Sequence, residues 1–501
     1  MQNYREGRTD IHWNLAMMKN NSPLSPADRI RWEAFAVCAA VASLTIMDLS
    51  KINVGLPTIE LSLGGGPTEL QLIVAGYALA FGLALVPSGR IGDLHSRKMM
   101  FVIGLSSFTL ASVLCALAPS IEVLVFGRIL QGMAAGIQMP QVLGLIQQLF
   151  HGPERGKAFG FFGAIIGLST AIGPTLGGLL IGIGGETDGW RLLFWMNVPL
   201  GVLALIFALK LLPATQPHSG TKTELDLVGI LLLGVTIFSL MLPFVLTTGG
   251  SRDNPARWYW LIGFAVGGAA FVWWERRFLA AGKAPVIHFG LFALPSYRNG
   301  ILIATAYFAA TPAIFLITTL YLQQGVGLAA VYAGMVTIPF ALVSAYTSYV
   351  GGRLVATLGR RLVLIGLGLV FVGFGLTLPI VSFAPTEMVP WLLAAAMGVA
   401  GAGGGFVISP NQTLTLEHVP VVHGGVAGSV SQVGQRAGTA IGVAGASSTY
   451  FSTLYREEGT ADPLTVYGDA LHNGLYVALG ILLVSIVFSA LDLRKRATSM
   501  E

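Results

Sequence analysis

Fourteen stretches of mostly apolar residues, parted by short polar segments, govern what this chain can fold into. An α-helix rises about 1.5 Å per residue, so about 20 such residues cross the hydrocarbon core of a bilayer. The expected helices cover residues 33–57, 68–90, 98–118, 121–149, 156–183, 190–212, 226–248, 257–275, 299–323, 329–350, 361–382, 388–416, 424–453 and 467–493. Only 11% of the 501 residues are charged while 54% are hydrophobic. A water-soluble particle cannot bury that much apolar surface, because single cores stop growing near about 250–300 residues and charged groups must cover the outside. The expected fold class is an all-α polytopic membrane protein.

The basic residues test this map independently. With the N-terminus placed in the cytoplasm, the outer loops hold only Arg191, Arg252, Arg257 and Arg456, and Lys51, Arg128 and Arg436 lie inside helices, so 22 of the 29 Lys and Arg fall on the cytoplasmic side. A bias this lopsided predicts an even number of helices with both termini inside. The net charge of +5 is spread over short inter-helix runs rather than one face, which argues for membrane orientation and against nucleic acid. Met1–Arg31 has no short apolar core followed by a small-residue cleavage site, so no removed signal peptide is expected. Cys38 and Cys115 sit in apolar stretches without metal or disulfide spacing and are expected to pack only.

An internal repeat divides the chain. Gly89-Arg-Ile-Gly-Asp93-Leu-His-Ser-Arg97-Lys98 recurs after the tenth stretch as Gly352-Arg-Leu-Val-Ala356-Thr-Leu-Gly-Arg360-Arg361, an offset of 263 residues. Six helices are too few to fill that offset, and the two between Asp226 and Glu275 supply the excess. The expected organisation is a cytoplasmic tail over 1–32, a six-helix bundle over 33–212, two inserted helices with linkers over 213–298, a second bundle over 299–493 and a tail over 494–501. Two parallel bundles with a substrate near the midplane are a transporter pattern.

Four motifs make this pattern specific: Asp48-Leu-Ser-Lys-Ile-Asn53-Val-Gly-Leu-Pro57 in the first helix, Gly89 to Lys98, Arg128-Ile-Leu-Gln131-Gly132 in the fourth, and Gly173-Pro174-Thr-Leu-Gly177-Gly178 in the fifth. With the run from Trp190-Arg191 to Asn197-Val-Pro199, they resemble the major facilitator superfamily in its fourteen-helix drug:proton antiporter branch. The resemblance implies two six-helix bundles plus two inserted helices, alternating access, and a place in the cytoplasmic (inner) membrane of a bacterium.

A proton-driven carrier needs a titrating group away from bulk water. Of the 24 acidic residues, Asp48 alone is placed deep in a span; Glu69, Glu122 and Glu275 fall at helix ends and the rest in loops or tails. An ionisable residue in hydrocarbon costs several kcal/mol, so its default reading is functional. A structural pair with Lys51, three residues on and on the same helical face, is the alternative. Counted from the outer helix ends, Asp48 lies roughly 13 Å deep and Arg128 roughly 10 Å deep, so the two can share a depth. The resemblance implies that Arg128 takes part in proton coupling with Asp48, with Gln131 beside it; snorkelling to the outer surface is the alternative. Arg436, near mid-membrane with Gln432 and Gln435 beside it, could hold a substrate anion or serve structure alone.

Asp93, with Arg97 and Lys98, lies where a carboxylate can cap a neighbouring helix and arginines can meet acidic partners. The resemblance implies that Gly89, Asp93, Arg97 and Lys98 form a latch holding the bundles together on the cytoplasmic side in the outward-open state. Ala356 replaces the aspartate in the second copy, so the latch is expected to be asymmetric, and Ser96 stands where the family has glycine. In the fifth helix, Gly163, Gly167, Ala171 and Thr175 recur at a spacing that permits close helix approach, and Pro174 bends the helix. The run Gly173-Pro174 to Gly177-Gly178 resembles an antiporter motif of exporters. Polar and aromatic residues on helices that line the cavity in the family, namely Tyr77, Gln131, Gln138, Gln141, Tyr307, Phe315, Tyr321, Asn411, Gln432 and Arg436, are candidate substrate contacts.

The expected function is export of lipophilic small molecules of multidrug type, coupled to protons, without other cofactors and without enzyme activity: no Gly-x-x-x-x-Gly-Lys run is present and the eight histidines are scattered. Expected partners are the substrate, protons and membrane lipids, with the chain a monomer. Export of a lipid, metabolite or siderophore on the same fold is the alternative, and a receptor or scaffold incapable of transport is a third reading.

Overall fold

A computed structural model describes residues 26–64, 67–214, 225–247, 254–457 and 462–498. Twelve described helices are long and apolar enough to cross a membrane: α1 Asp28–Leu63, α2 Glu69–Leu94, α3 Arg97–Ala116, α4 Ile121–Leu149, α5 Gly152–Gly185, α6 Thr187–Leu211, α7 Leu227–Val245, α9 Pro295–Gly325, α10 Val331–Leu358, α11 Arg360–Phe383, α12 Val389–Thr415 and α14 Pro463–Leu493. Two less apolar helices, α8 Trp260–Ala280 and α13 Gly424–Glu457, complete a set of fourteen. Large apolar side chains such as Leu110, Phe126, Leu231, Ile262 and Trp391 point outward and exposed, the arrangement a lipid solvent requires and water penalises. The part of the N-terminal tail before residue 26, Lys222 and Arg252 lie outside the described residues.

The helix that carries the span α1 runs over Pro26–Leu63 and so starts several residues before the expected 33, because Asp28 in the first turn and the Arg29–Glu33 pair support a helix that leaves the apolar layer. The α5–α6 junction is a single break at Gly185, whose φ of 86° suits glycine. Ser96 caps α3 by accepting from the Met99 amide at 3.2 Å, which gives the serine in place of glycine a structural purpose.

The two halves repeat one packing pattern. α1 packs on α5 and α6, α2 and α3 on α4, and α3 on α6; likewise α9 packs on α13 and α14, α10 and α11 on α12, and α11 on α14. The second half has its own apolar core, while that of the first half continues into Tyr297, Leu416, Val419 and Ala427 of the second. The halves meet along two matching seams, α5 on α10 and α2 on α13. The pair α7–α8 lies outside the second seam, where Leu233, Ile237 and Met241 pack with Val86 of α2 and Val426 of α13, and Gln71 donates to the Val245 carbonyl at 2.7 Å.

One expectation needs correction. The acids not assigned to helix ends are not all in loops or tails: Asp492 lies in the last turn of α14, 1% exposed, 2.8 Å from Arg360 Nε and 2.7 Å from Asn299 Nδ2. Asp226 caps α7 at the Gly229 amide, 2.8 Å away, and Glu275 accepts from the amides of Val286 and Ile287. Each is buried at a helix end where backbone donors or an arginine offset the cost, and sequence position alone does not reveal that partner.

Candidate functional site

Asp48 sits on the face of α1 that turns into the first bundle. Its Oδ2 accepts from Arg128 Nη1 at 2.6 Å, and its Oδ1 accepts from Asn197 Nδ2 at 2.7 Å and lies 3.5 Å from Lys51 Nζ. Lys51 donates to Asn197 Oδ1 at 2.6 Å, Arg128 donates to Gln131 Oε1 at 2.7 Å, and Gln131 Nε2 donates to Ser112 Oγ at 2.9 Å. All six side chains are buried. One carboxylate therefore faces two cations, a buried unit with net charge +1 that α1, α3, α4 and α6 hold in place. Both sequence readings of Asp48, with Lys51 and with Arg128, meet in this one cluster. Asn197 is a member that the sequence placed only within a family-like run.

Beyond Arg128 the chain of contacts continues toward the seam. The guanidinium lies 4.2 Å from the Tyr77 ring centroid, Tyr77 stacks on Phe81 at 6.3 Å, and Arg436 of α13 lies 4.6 Å from the Phe81 ring.

Asp48 itself does not face the cavity of about 320 Å³ that lies between the halves. Ile46, Leu49 and Ser50 line it from the opposite face of α1, with Met139 and Leu143 of α4, Phe159, Phe162 and Gly163 of α5, Tyr307 and Phe308 of α9, Ser409, Asn411 and Gln412 of α12, and Gln432, Gln435 and Arg436 of α13. The lining is largely apolar with a few polar groups, a composition suited to small-molecule binding. Of the candidate contacts, Tyr307, Asn411, Gln432 and Arg436 line it. The other six lie elsewhere: Gln131 in the Asp48 cluster, Tyr77 against Arg128, Gln138 on Thr45 at 2.7 Å, Gln141 on the Ser88 carbonyl at 2.9 Å, Phe315 against Phe340 and Phe374, and Tyr321 in the core of the second half. Each satisfies packing or hydrogen bonding within its own half.

The glycines of α5 serve two neighbours. A Cβ at Gly163 would lie 3.2 Å from Ser348 of α10, and Gly167 faces Ala341 and Ala345 of the same helix. A turn further on, a Cβ at Gly173 would collide with Ser50 and one at Gly177 would lie 3.2 Å from the Lys51 Cβ, while Gly178 approaches Val54. Pro174 lies between them in the helix. One face of α5 thus meets the other half, and another meets α1 beside Asp48.

At the end of the molecule bearing the α2–α3 loop, the halves are tied together. Asp93 accepts from the amides of Gly425 at 3.1 Å and Val426 at 2.9 Å, capping the start of α13. Arg97 donates to Asp93 Oδ1 at 2.7 Å, to the Gly144 carbonyl at 3.0 Å and to the Val421 carbonyl. Gln147 donates to the Leu416 carbonyl at 3.1 Å and Arg155 to the Glu417 carbonyl at 3.3 Å, adding further ties. Lys98 instead donates to the carbonyls of Leu209 and Leu212 at 2.8 Å each, closing the end of α6. A Cβ at Gly89 would lie 2.9 Å from the Gly425 carbonyl oxygen. The repeat shows the same approach without the carboxylate: Gly352 abuts Gly156 and Gly160 of α5, and Arg360 turns inward to Asp492 and Asn411.

Beside this tie the rings of His288 and His423 lie 4.4 Å apart. Burial, then His423, then Arg90 push the His288 pKa down to about 4, and burial and Arg90 lower that of His423. A group with a depressed histidine pKa binds fewer protons when packed than when released, so this contact is stable above about pH 6.5 and weakens as pH falls toward 4. Hydrogen exchange of residues 281–294 is expected to speed up across that window in wild type and to stay flatter in His288→Phe. An identical acid response in both proteins would contradict this reading.

Comparison with known proteins matches this architecture. The profile of the Major Facilitator Superfamily covers residues 38–443. A probable actinorhodin transporter of Streptomyces coelicolor is 33% identical over 85% of this chain and 73% of its own length. A puromycin resistance protein of Streptomyces alboniger is 30% identical over 92% and 91%. Among solved structures, a proton:xylose symporter superposes with a TM-score of 0.62 at 16% identity, covering 92% of this chain and 95% of that one. With two repeated bundles meeting at a central cavity and a family profile spanning most of its length, this chain belongs to the Major Facilitator Superfamily.

Proposed function

We propose that this protein exports lipophilic small molecules in exchange for protons, by alternating access, with Asp48 as the proton-binding group. The observation that carries the reading is the buried Asp48–Arg128–Lys51 cluster placed directly behind the α1 face that lines the cavity. Neutralising Asp48 removes a charge-assisted bond from Arg128 and leaves two cations together. Breaking one side of a buried ion pair costs about 3–5 kcal/mol, close to the roughly 5.5 kcal/mol that inverts a two-state equilibrium from 1:99 to 99:1. Protonation at this position is therefore large enough to re-seat α1 against α5, and α5 carries that change to the seam with α10. The charge bias of the loops supports an orientation with the tied end and both termini in the cytoplasm of a bacterial inner membrane, and in that orientation the Asp93, Arg97, Gln147 and Arg155 contacts lie on the cytoplasmic side of the cavity.

Outward transport is supported by the exporter-like run in α5 and by relatives named for antibiotic transport and resistance. Expression in a bacterium stripped of its own efflux pumps is expected to lower accumulation of lipophilic dyes several-fold, with the effect lost on adding a protonophore. Unchanged accumulation of every dye, together with a secreted metabolite or altered envelope lipids, would replace this substrate class with the alternative one.

A further inference from the structure

We infer that the cavity binds lipophilic organic anions, with Arg436 pairing with the substrate's negative charge. The inference deepens the export reading above and rests on it for the role of the cavity.

Among the described residues that line the cavity, Arg436 is the one charged side chain, with no carboxylate beside it there. Among the described residues its guanidinium has no ion pair; its contact is the face of Phe81, 4.6 Å from the ring centroid. Arg436 is only partly buried and faces the cavity, where its N–H groups need acceptors that an aromatic ring does not replace. Asp48 is not the missing partner. It lies beyond Phe81 and Tyr77, already bonded to Arg128 and Asn197 with Lys51 alongside. Counting that cluster with Arg436, the middle of the molecule holds three cations against one carboxylate, a field that attracts anions and repels lipophilic cations. Two further groups extend the site. Gln412 Nε2 has no hydrogen-bond partner among the described residues, and the Tyr307 hydroxyl has Thr311 beside it, both side chains standing at the cavity wall. A small rotation of either side chain would offer a donor to a second polar atom of a ligand whose rings rest on Phe159, Phe162 and Phe308.

Three probes on one ring system separate charge from shape: anthracene-9-carboxylate, 9-hydroxymethylanthracene and 9-aminomethylanthracene. Binding of each to the full chain in lipid nanodiscs, read by anthracene fluorescence against empty discs, is expected to favour the carboxylate over the alcohol by at least about tenfold and to disfavour the amine. Arg436→Gln is expected to bind the alcohol as wild type does and to lose the carboxylate preference, while Arg436→Lys retains a preference. Equal binding of the three probes by wild type, or a preference that survives in Arg436→Gln, overturns the assignment. Should Arg436→Gln fail to fold, wild type and Arg436→Lys decide: carboxylate preference in both supports the site, and its absence in either contradicts it. No gradient is present in this measurement and none of its variants touches the Asp48 cluster, so failure of the anion site and failure of proton coupling show separately.

Discussion

Asp48→Asn is expected to lower proton-driven flux by roughly two orders of magnitude, the factor that follows from losing about 3 kcal/mol of a buried pair at 1.4 kcal/mol per tenfold. The same change has a structural side effect. Arg128 and Lys51 then face each other without the carboxylate that now lies 2.6 Å from one and 3.5 Å from the other, so the single variant should also unfold at lower temperature in detergent. Adding Lys51→Met returns the cluster to a net charge of +1 and removes the α1 cation, leaving Arg128 of α4 alone beside the new amide. The double variant is expected to recover much of the lost stability and none of the coupled flux. Recovery of both together would make Asp48 a packing residue whose partner is Lys51.

Gly352→Val carries the second large effect, and it acts on conformation rather than on protons. A Cβ at position 352 would collide with the Gly156 carbonyl oxygen and stand 2.7 Å from the Gly160 Cα. These are backbone atoms of the other half, which cannot rotate aside as a side chain would. Overpacking of a tight contact costs about 1–3 kcal/mol, enough to shift an equilibrium between two states by roughly one to two factors of ten. The expected result is a lengthened distance between spin labels placed across the α5–α10 seam at its tied end, together with slowed transport. The opposite seam, where Asp93 caps α13, should yield less, because Arg97, Gln147 and Arg155 still hold the end after one tie is cut. Unchanged label distances in Gly352→Val would show that this seam does not report the switch.

Much of the fold was legible because lipid is a severe solvent. Each span must be long and apolar, and each basic loop marks a side, so fourteen helices could be counted without any tertiary information. The meeting of Asp48 with Arg128 was legible for a similar reason: depth from a helix end is a one-dimensional quantity, and two rare charges at one depth have few other partners. Rotation about each helix axis was not legible. Gln131, Gln138 and Gln141 lie on one helix, yet their amides bond to Ser112 of α3, Thr45 of α1 and the Ser88 carbonyl of α2 in turn. Helices that are apolar on every side in lipid give no periodic signal for which face turns inward, so the cavity lining could not be chosen from such residues. Asp492 was missed because it closes the last turn of a span near a basic tail, a place where acids are ordinarily solvated; Arg360, Asn299 and Asn411 join it there only after the second half has packed. The motif copy that lacks Asp93 was informative in the other direction: Ala356 foretold an asymmetric tie, and Arg360 turns inward to Asp492 instead of across the seam.

Proton exchange in acid-inside proteoliposomes, with lipophilic substrates added outside, tests the central claim most directly when wild type is set against Asp48→Asn with Lys51→Met. Wild type is expected to dissipate the pH gradient on substrate addition, with substrate accumulating inside through molecules inserted in the exporting orientation, while the double variant leaves the gradient standing. Equal dissipation by the two proteins would contradict the account and place the coupling group somewhere other than Asp48.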